Sequence, residues 1–172
     1  MEQNALEIEL RIAKLSDLSE LKALFKTSIL NTCQNDYSIQ ALNAWISGKE
    51  NDPKWKSMVE QGITFLACKN KRIIGFSVLV DNPLSSDSFH VEMLFVHPDY
   101  QRMGVAGFLF SCTEKAARAL KAKKISADVS RTALRFFLKS GFHMITGQEV
   151  IIQGISLENF KMVKYLNLPG DD

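Results

Sequence analysis

At 172 residues the chain is long enough to bury a substantial core, and 46% hydrophobic against 23% charged residues is an ordinary balance for a globular protein. A net charge of +2 is too small to argue for a nucleic-acid partner, and the main Lys/Arg cluster, 121-KAKK-124, reads as a basic helix end. Three scattered cysteines (Cys33, Cys68, Cys112) form no CxxC pair and no zinc spacing, so free thiols in a reducing cytoplasm are expected. The opening MEQNALEIEL is acidic and alternating, unlike a signal peptide, and no apolar run approaches the ~18 residues that span a bilayer.

In chain order, 6-LEIELRIA-13 alternates and predicts a strand. Asp17 with Glu20 predicts a capping box, followed by Leu18, Leu21, Phe25 and Ile29 at helical spacing. A second helix is predicted over 38–47, and a shorter one after Pro53, a residue suited to a first turn. From Gly62 the period changes: ITFLACK and RIIGFSVLV are β-rich runs joined through Asn70-Lys71 as a hairpin. The loop 81-DNPLSSDS-88 precedes a further β-rich run, 89-FHVEMLFV-96. A helix over 104–121 presents Val105, Phe108, Leu109, Cys112, Ala116 and Leu120 on one face. A strand at 125–129, a helix at 131–140 and two strands near 142–153 and 156–166 complete one mixed α/β sheet with helices against it. No repeat, linker or low-complexity tract divides residues 1–172, so one domain is expected.

The segment 96-VHPDYQRMGVAG-107 spends glycines at the entry to a good helix, where Gly costs about 1 kcal/mol relative to Ala. Without a Cβ the backbone can approach a ligand closely, and the first N–H groups of the helix have no internal partner. With the helix dipole these features make a seat for an anion such as phosphate. The alternative is that Gly104 and Gly107 only allow the helix to pack closely on the sheet.

Gln101-Arg102-Met103-Gly104-Val105-Ala106 fits Q/R-x-x-G-x-G/A, between an apolar strand and an amphipathic helix. That arrangement resembles the acyl-CoA signature of the GNAT superfamily of N-acetyltransferases. Arg11-Ile-Ala-Lys-Leu-Ser-Asp17 resembles the family's opening segment, and 130-SRTALRFFLKSGF-142 its N-x-x-A-x-x-F-Y-x-x-x-G-F run. Tyr37-Ser38, Gln40, Trp45 and the tail GISLENFKMVKYL look like the YafP-type branch. The resemblance implies a mostly antiparallel sheet splayed between its fourth and fifth strands, with acetyl-CoA entering the gap. Backbone groups of Leu94 and Val96, around Phe95, would pair with the pantetheine arm. Gln101 and the amides of Arg102, Met103, Gly104, Val105, Ala106 and Gly107 would hold the pyrophosphate. Ser130 stands where relatives carry an Asn that bonds the pantetheine. Phe137 stands where relatives carry a Tyr that protonates the departing thiolate; its ring can pack on the cofactor but cannot give a proton.

In 89-FHVEMLFV-96 a period of two puts Phe89, Val91, Met93 and Phe95 on one apolar face and His90, Glu92, Leu94 and Val96 on the other. Titratable groups in mid-sheet are costly unless wet or paired. Aminolysis of a thioester needs a base, because alkyl amines are protonated near neutrality, and the resemblance places such bases at these strand positions. Glu92 is therefore the first candidate and His90 the second. The structural alternatives are that Glu92 pairs with a nearby Lys or Arg, and that His90 faces solvent. Tyr37 and Trp45 are candidates for contacting the acceptor, or else pack a helix face. His97 and His143 read as a turn residue and a structural residue; no third ligand accompanies either, so no metal is expected.

The resemblance thus implies a cytoplasmic enzyme that transfers acetyl from acetyl-CoA to a primary amine by direct attack. The acceptor, a small molecule or a peptide, would approach across 31–60 and the loops near 81–88 and 147–155. Neither nucleic acid nor membrane is expected as a partner, and a homodimer through the last strands is open. A non-catalytic acyl-CoA-binding or sensing module, or use of the fold as a scaffold for interactions, would also suit a chain with Ser130 and Phe137 at these positions.

Overall fold

The structure, a computed structural model describing residues 7–166, is organised around one seven-stranded sheet of order β1-β2-β3-β4-β5-β7-β6. Strands β1 (Glu9–Ile12), β2 (Ile63–Lys69), β3 (Arg72–Asp81) and β4 (Ser88–Val96) pair antiparallel in succession. Strand β5 (Lys124–Ser130) runs parallel to β4, and β7 (Ile155–Tyr165) lies antiparallel between β5 and β6 (His143–Ile152). The predicted β2–β3 hairpin turns through Asn70 and Lys71, with φ of 50° and 66°, as a tight turn matching the strand twist requires. The predicted first strand begins at Leu6, which lies outside the described residues.

Helices α1 (Leu18–Thr32), α2 (Ile39–Gly48) and α3 (Asp52–Glu60) cover one face. They bury Leu21, Phe25, Leu42 and Trp55 against Phe76, Val78 and Met93. Helices α4 (Val105–Ala119) and α5 (Leu134–Lys139) cover the other, where Phe110 and Phe137 pack on Ile125, Ala127 and Val129. Ser38 and Asn51 cap α2 and α3 by accepting the amides of Ala41 and Lys54. Among the described residues no helix is long and apolar enough to cross a membrane.

Two local expectations are corrected. Asp17 and Glu20 form no capping box: Asp17 accepts Lys14 N–H and both arms of Arg11, while Glu20 Oε1 accepts the Ile73 amide on β3. The inner face of α4 is rotated from the predicted one. It buries Val105, Leu109, Phe110, Thr113 and Ala117, whereas Leu120 is 50% exposed. The Thr113 hydroxyl is satisfied inside by Leu109 O and Ser77 Oγ.

The feature that shapes the site is a bulge in β4. Val78 of β3 faces Met93 and Leu79 faces Val91, so Glu92 has no partner on β3. Strict alternation fails here, and the predicted faces of β4 are corrected. Phe89 and Val91 pack toward α4, Met93 and Phe95 toward α1–α3, and Leu94 and Val96 toward α4. His90 and Glu92 therefore share the α1–α3 face with Met93 and Phe95, not with Leu94 and Val96. Pairing of β4 with β5 stops at Val91↔Ala127, although β4 continues to Val96 and β5 to Ser130. The strands part at the bulge, as the sequence resemblance implied.

Candidate active site

A cleft of about 820 Å³ opens where β4 and β5 separate. It is lined by His90, Glu92, Leu94, Phe95, Val96, Gln101, Arg102, Gly104, Val105, Ala106, Gly107, Ser130, Phe137, Tyr37 and Trp45. Of the residues singled out from the sequence, Met103 alone is not in the lining; its side chain is 54% exposed. No residue of the 81–88 loop lines the cleft, whereas Val150 and Ile152 from β6 do.

At one end lies the entrance to α4. Gly104 is its N-cap with φ of 85°, a conformation that disfavours any side chain. A Cβ at either Gly104 or Gly107 would meet nothing within 4 Å, so neither glycine serves close packing on the sheet. That role falls to Gly75 of β3, where a Cβ would press on Leu109 and Val105 at 3.1 Å. The first helical bond runs from Phe108 N–H to Gly104 O at 2.9 Å. Among the described residues, the amides from Arg102 to Gly107 make no hydrogen bond of ordinary geometry. Free amides at a helix N-terminus, without side-chain bulk, fit the diphosphate of a CoA molecule.

The edge of β4 leads into this cradle. His97 N–H bonds Ile74 O, and antiparallel alternation then turns the backbones of Phe95 and Met93 toward β3 and those of Leu94 and Val96 toward the gap. The Val96 carbonyl is already occupied, accepting from Gln101 Nε2 at 2.8 Å and from buried Ser28 Oγ at 3.0 Å. Gln101 thus braces the strand with its side chain, and its amide bonds Pro98 O. The Ser130 hydroxyl accepts the Ala133 amide at 3.2 Å, and Phe137 is buried among Phe110, Phe136 and Phe142.

Beyond the bulge the cleft is built from side chains. Asp128 and Ser130 of β5 line this space and Ser126 lies behind His90, alternating with the buried Ile125, Ala127 and Val129. Glu92 Oε1 takes both Lys49 Nζ at 3.1 Å and Lys54 Nζ at 2.5 Å, and its Oε2 lies 3.9 Å from His90 Nε2. Burial raises the Glu92 pKa, but the two ammoniums outweigh it and leave the carboxyl below its ordinary value. The expected alternative of a Glu92 ion pair is therefore present. His90 is partly buried rather than solvent-facing. Burial lowers its pKa below the ordinary 6.5, against the opposing pull of Asp128 and Glu92.

The imidazole tautomer follows from its neighbours. Ser126 Oγ donates to Phe89 O at 3.3 Å, so its lone pairs face His90 Nδ1 at 2.9 Å. With Ser126 Oγ accepting, the ring proton sits on Nδ1 and Nε2 carries the lone pair beside Glu92. Tyr37 holds the opposite wall: its hydroxyl donates to Glu158 O at 2.7 Å and accepts the Arg131 amide at 2.8 Å. Its ring meets Trp45 edge-on at 5.8 Å. Burial raises the Tyr37 pKa, with Arg131 opposing. The hydroxyl is committed to this latch and is not free to stand in for the acid that Phe137 cannot be. Asn159, paired in register with Ser130, lines the cleft with a buried Oδ1 that has no hydrogen-bond partner among the described residues.

Sequence reading missed Lys49, Lys54, Ser126, Asp128 and Asn159. The parity of β5 could have exposed Ser126 and Asp128, since its apolar residues alternate with them. Nothing local could have placed Lys49 and Lys54 on Glu92. His97 is the turn residue expected, its Nδ1 accepting Asp99 N–H, and His143 is exposed at the start of β6. Among the described residues no cluster of three or more His, Cys, Asp or Glu side chains could hold a metal ion.

Residues 33–164 match the acetyltransferase (GNAT) domain family. The uncharacterized N-acetyltransferase YafP of Escherichia coli strain K12 is 30% identical over 155 residues, covering 90% of this chain and 94% of that protein. A GCN5-related N-acetyltransferase structure from Rhodopseudomonas palustris superposes with a TM-score of 0.85 at 30% identity, covering 96% of this chain and all of the other. The PaiA N-acetyltransferase of Thermoplasma acidophilum, solved with coenzyme A, shares the fold with a TM-score of 0.75 at 20% identity over 93% of this chain and 99% of its own. The chain belongs to the GNAT family and is an acetyl-CoA-dependent N-acetyltransferase.

Proposed function

We propose that the chain, acting as a single cytoplasmic domain without a metal, moves acetyl to a primary amine by direct attack in a ternary complex, with His90 as general base. The observation that carries this reading is the place of His90 in the cleft, with Nδ1 2.9 Å from Ser126 Oγ and Nε2 3.9 Å from Glu92; when Nδ1 donates to Ser126, Nε2 is free to accept a proton. Bound acetyl-CoA supplies the thioester carbonyl. The amides of Arg102, Met103, Gly104, Val105, Ala106 and Gly107 hold its diphosphate, and the Leu94 backbone with the Val96 N–H aligns the pantetheine along β4 beside Phe95. Gln101 keeps that strand edge in place. Ser130 and Phe137 flank the same path, the latter by packing.

An alkyl amine with a pKa near 10.4 arrives protonated. His90 Nε2 accepts its proton, and Glu92, kept ionised by Lys49 and Lys54, stabilises the imidazolium. This reverses the ranking drawn from sequence: a depressed carboxylate is the weaker proton acceptor, and Glu92 acts by positioning charge. Tyr37 and Trp45 wall the acceptor side. A thiolate with a pKa near 8.5 is a tolerable leaving group, so the absence of an acid at Phe137 does not block turnover.

Calorimetry with acetyl-CoA, followed by CoA thiol release across an amine panel, tests the reading. His90→Gln should lower kcat by about 10²–10⁴-fold with the acetyl-CoA affinity retained. In the native enzyme kcat should fall as pH drops through a midpoint below 6.5, because protonated His90 cannot accept the amine proton. If His90→Gln keeps both turnover and this acid limb, the base assignment fails. Binding without thiol release from any amine would identify a sensing module instead.

A further inference from the structure

The acceptor half of the cleft carries an unbalanced charge. Lys49 and Lys54 converge on one oxygen of Glu92, two ammoniums on a single carboxylate. Lys49 is held there by its backbone, whose carbonyl accepts buried Trp55 Nε1 at 2.8 Å, so the crowding is built into the α2–α3 junction. An ammonium has three N–H donors and Glu92 engages one on Lys49; no other protein acceptor is recorded for that ammonium among the described residues. Across the β4–β5 gap, two residues along β5 from Ser126, the partner of His90, stands the opposite charge, the exposed carboxylate of Asp128, touched by Gln148 Nε2 at 3.3 Å.

Resting on the acetyl-transfer reading above, we infer that the acceptor is a free amino acid, whose amine lies between His90 and Asp128 while its own carboxylate is taken by Lys49. Only the Glu92 carboxylate separates Lys49 Nζ from His90 Nε2, at 3.1 and 3.9 Å from its two oxygens. A ligand that reaches both must carry its amine and its anion a few bonds apart, as α- and β-amino acids do. A polyamine would bring a second ammonium against Lys49, and a peptide N-terminus has no carboxylate beside its amine. Trp45, Ile152 and Leu157 form the adjoining wall, so the side chain is apolar or aromatic.

The test compares matched amines with and without the carboxylate: L-phenylalanine with phenethylamine, L-leucine with 3-methylbutylamine, and spermidine as the polyamine. CoA thiol release is measured on the full chain, and acetyl-CoA affinity by calorimetry on the same samples. At least one amino acid should exceed its decarboxylated partner about tenfold or more in kcat/KM. Lys49→Met, and separately Lys54→Met, should lower the amino-acid kcat/KM mainly through KM, with acetyl-CoA affinity unchanged and the fold checked by thermal unfolding. Equal rates within every pair, preference for the decarboxylated amine or spermidine, or no amino acid turned over while acetyl-CoA binds, overturns the inference. Loss of acetyl-CoA binding itself in the native protein would instead bring down the underlying acetyl-transfer reading, and this one with it.

Discussion

The two ends of the cleft are made from different materials. At the α4 entrance the groups open to a ligand are main-chain amides, and the side chains there are absent or turned away: Gly104 and Gly107 have none, and Met103 is 54% exposed. Past the β4 bulge the polar groups are side chains from distant segments: Lys49, His90, Glu92 and Asp128 line the cleft, with Lys54 on Glu92 and Ser126 on His90 behind them. Backbone recognition suits a partner that never changes. A side-chain wall can be rebuilt residue by residue for a different acceptor without touching the cofactor cradle.

The largest effect should come from placing a side chain in the cradle. Gly107 lies in the first turn of α4 with open space around its missing Cβ, so Gly107→Asp fits sterically. An aspartate there also complements the helix dipole, by about 0.3–1 kcal/mol, and relieves the glycine's helix cost. Thermal stability should hold or rise while acetyl-CoA affinity, read by calorimetry, falls about 100-fold, or ~2.7 kcal/mol. A variant that loses stability but keeps affinity would return Gly107 to a packing role.

Next in size is Glu92→Gln, which acts on the other end. It removes the anion that favours imidazolium, so the His90 pKa falls further and the acid limb of kcat moves to lower pH, with kcat reduced about tenfold. It also leaves half-buried Lys49 without its counter-ion, at a cost of about 1–3 kcal/mol in urea unfolding, while exposed Lys54 is screened by solvent and adds little. The sign with pH is fixed by the depressed Glu92 pKa. Its stabilisation is present above the ordinary carboxylate range and is lost as pH falls through the folded-state value, so the stability gap between native protein and variant should close in acid. An acid limb that stays in place would separate Glu92 from His90.

Legibility in the sequence follows the same division. The helix entrance was legible because glycine spacing there is a local signal; the structure puts Gly104 and Gly107 in the cleft lining, leaves Met103 outside it and bonds the Gln101 side chain to Val96 O. The strands and helices were likewise readable from local periodicity, down to the Asn70-Lys71 turn. Failures came where a long-range contact overrode a local rule. Glu20 looked like a capping residue and instead binds Ile73 on β3; Leu120 was assigned to the inner face of α4 and is instead 50% exposed. In β4 one extra residue, Glu92, reversed the parity of everything after it, and no neighbour in the sequence announces a bulge. Lys49 and Lys54 were visible only as part of a mixed-charge segment, because their meeting at Glu92 depends on how α2 and α3 dock.

A smaller effect is expected at Tyr37. Tyr37→Phe keeps the ring against Trp45 but strips the Arg131 amide of its acceptor and the Glu158 carbonyl of a donor, costing about 1–3 kcal/mol in unfolding free energy. Because the hydroxyl is spent on this latch, kcat should stay within about threefold, less than ~0.7 kcal/mol in barrier height. A large loss of kcat with its alkaline limb altered would make Tyr37 the missing acid after all.

The smallest effect belongs to a part of the sheet that touches neither end of the cleft. Arg11 on β1 grips Asp17 with two bonds of 2.8 Å, yet the Arg11 side chain is 40% exposed. Solvent screening of so open a pair limits Arg11→Gln to about 1 kcal/mol or less, diminishing with added salt. The Arg11 hydrogen bonds are the main cause of the lowered Asp17 pKa, so the penalty should appear above the ordinary aspartate range and vanish as pH falls through the depressed value. Strand β1 is separated from β4 by β2 and β3, and Arg11 lines no part of the cleft. Acetyl-CoA affinity and the His90 acid limb should therefore be those of the native protein. A shift in either would show that the edge strand transmits strain to the bulge across two intervening strands, and the division of labour between the cradle and the wall would have to include it.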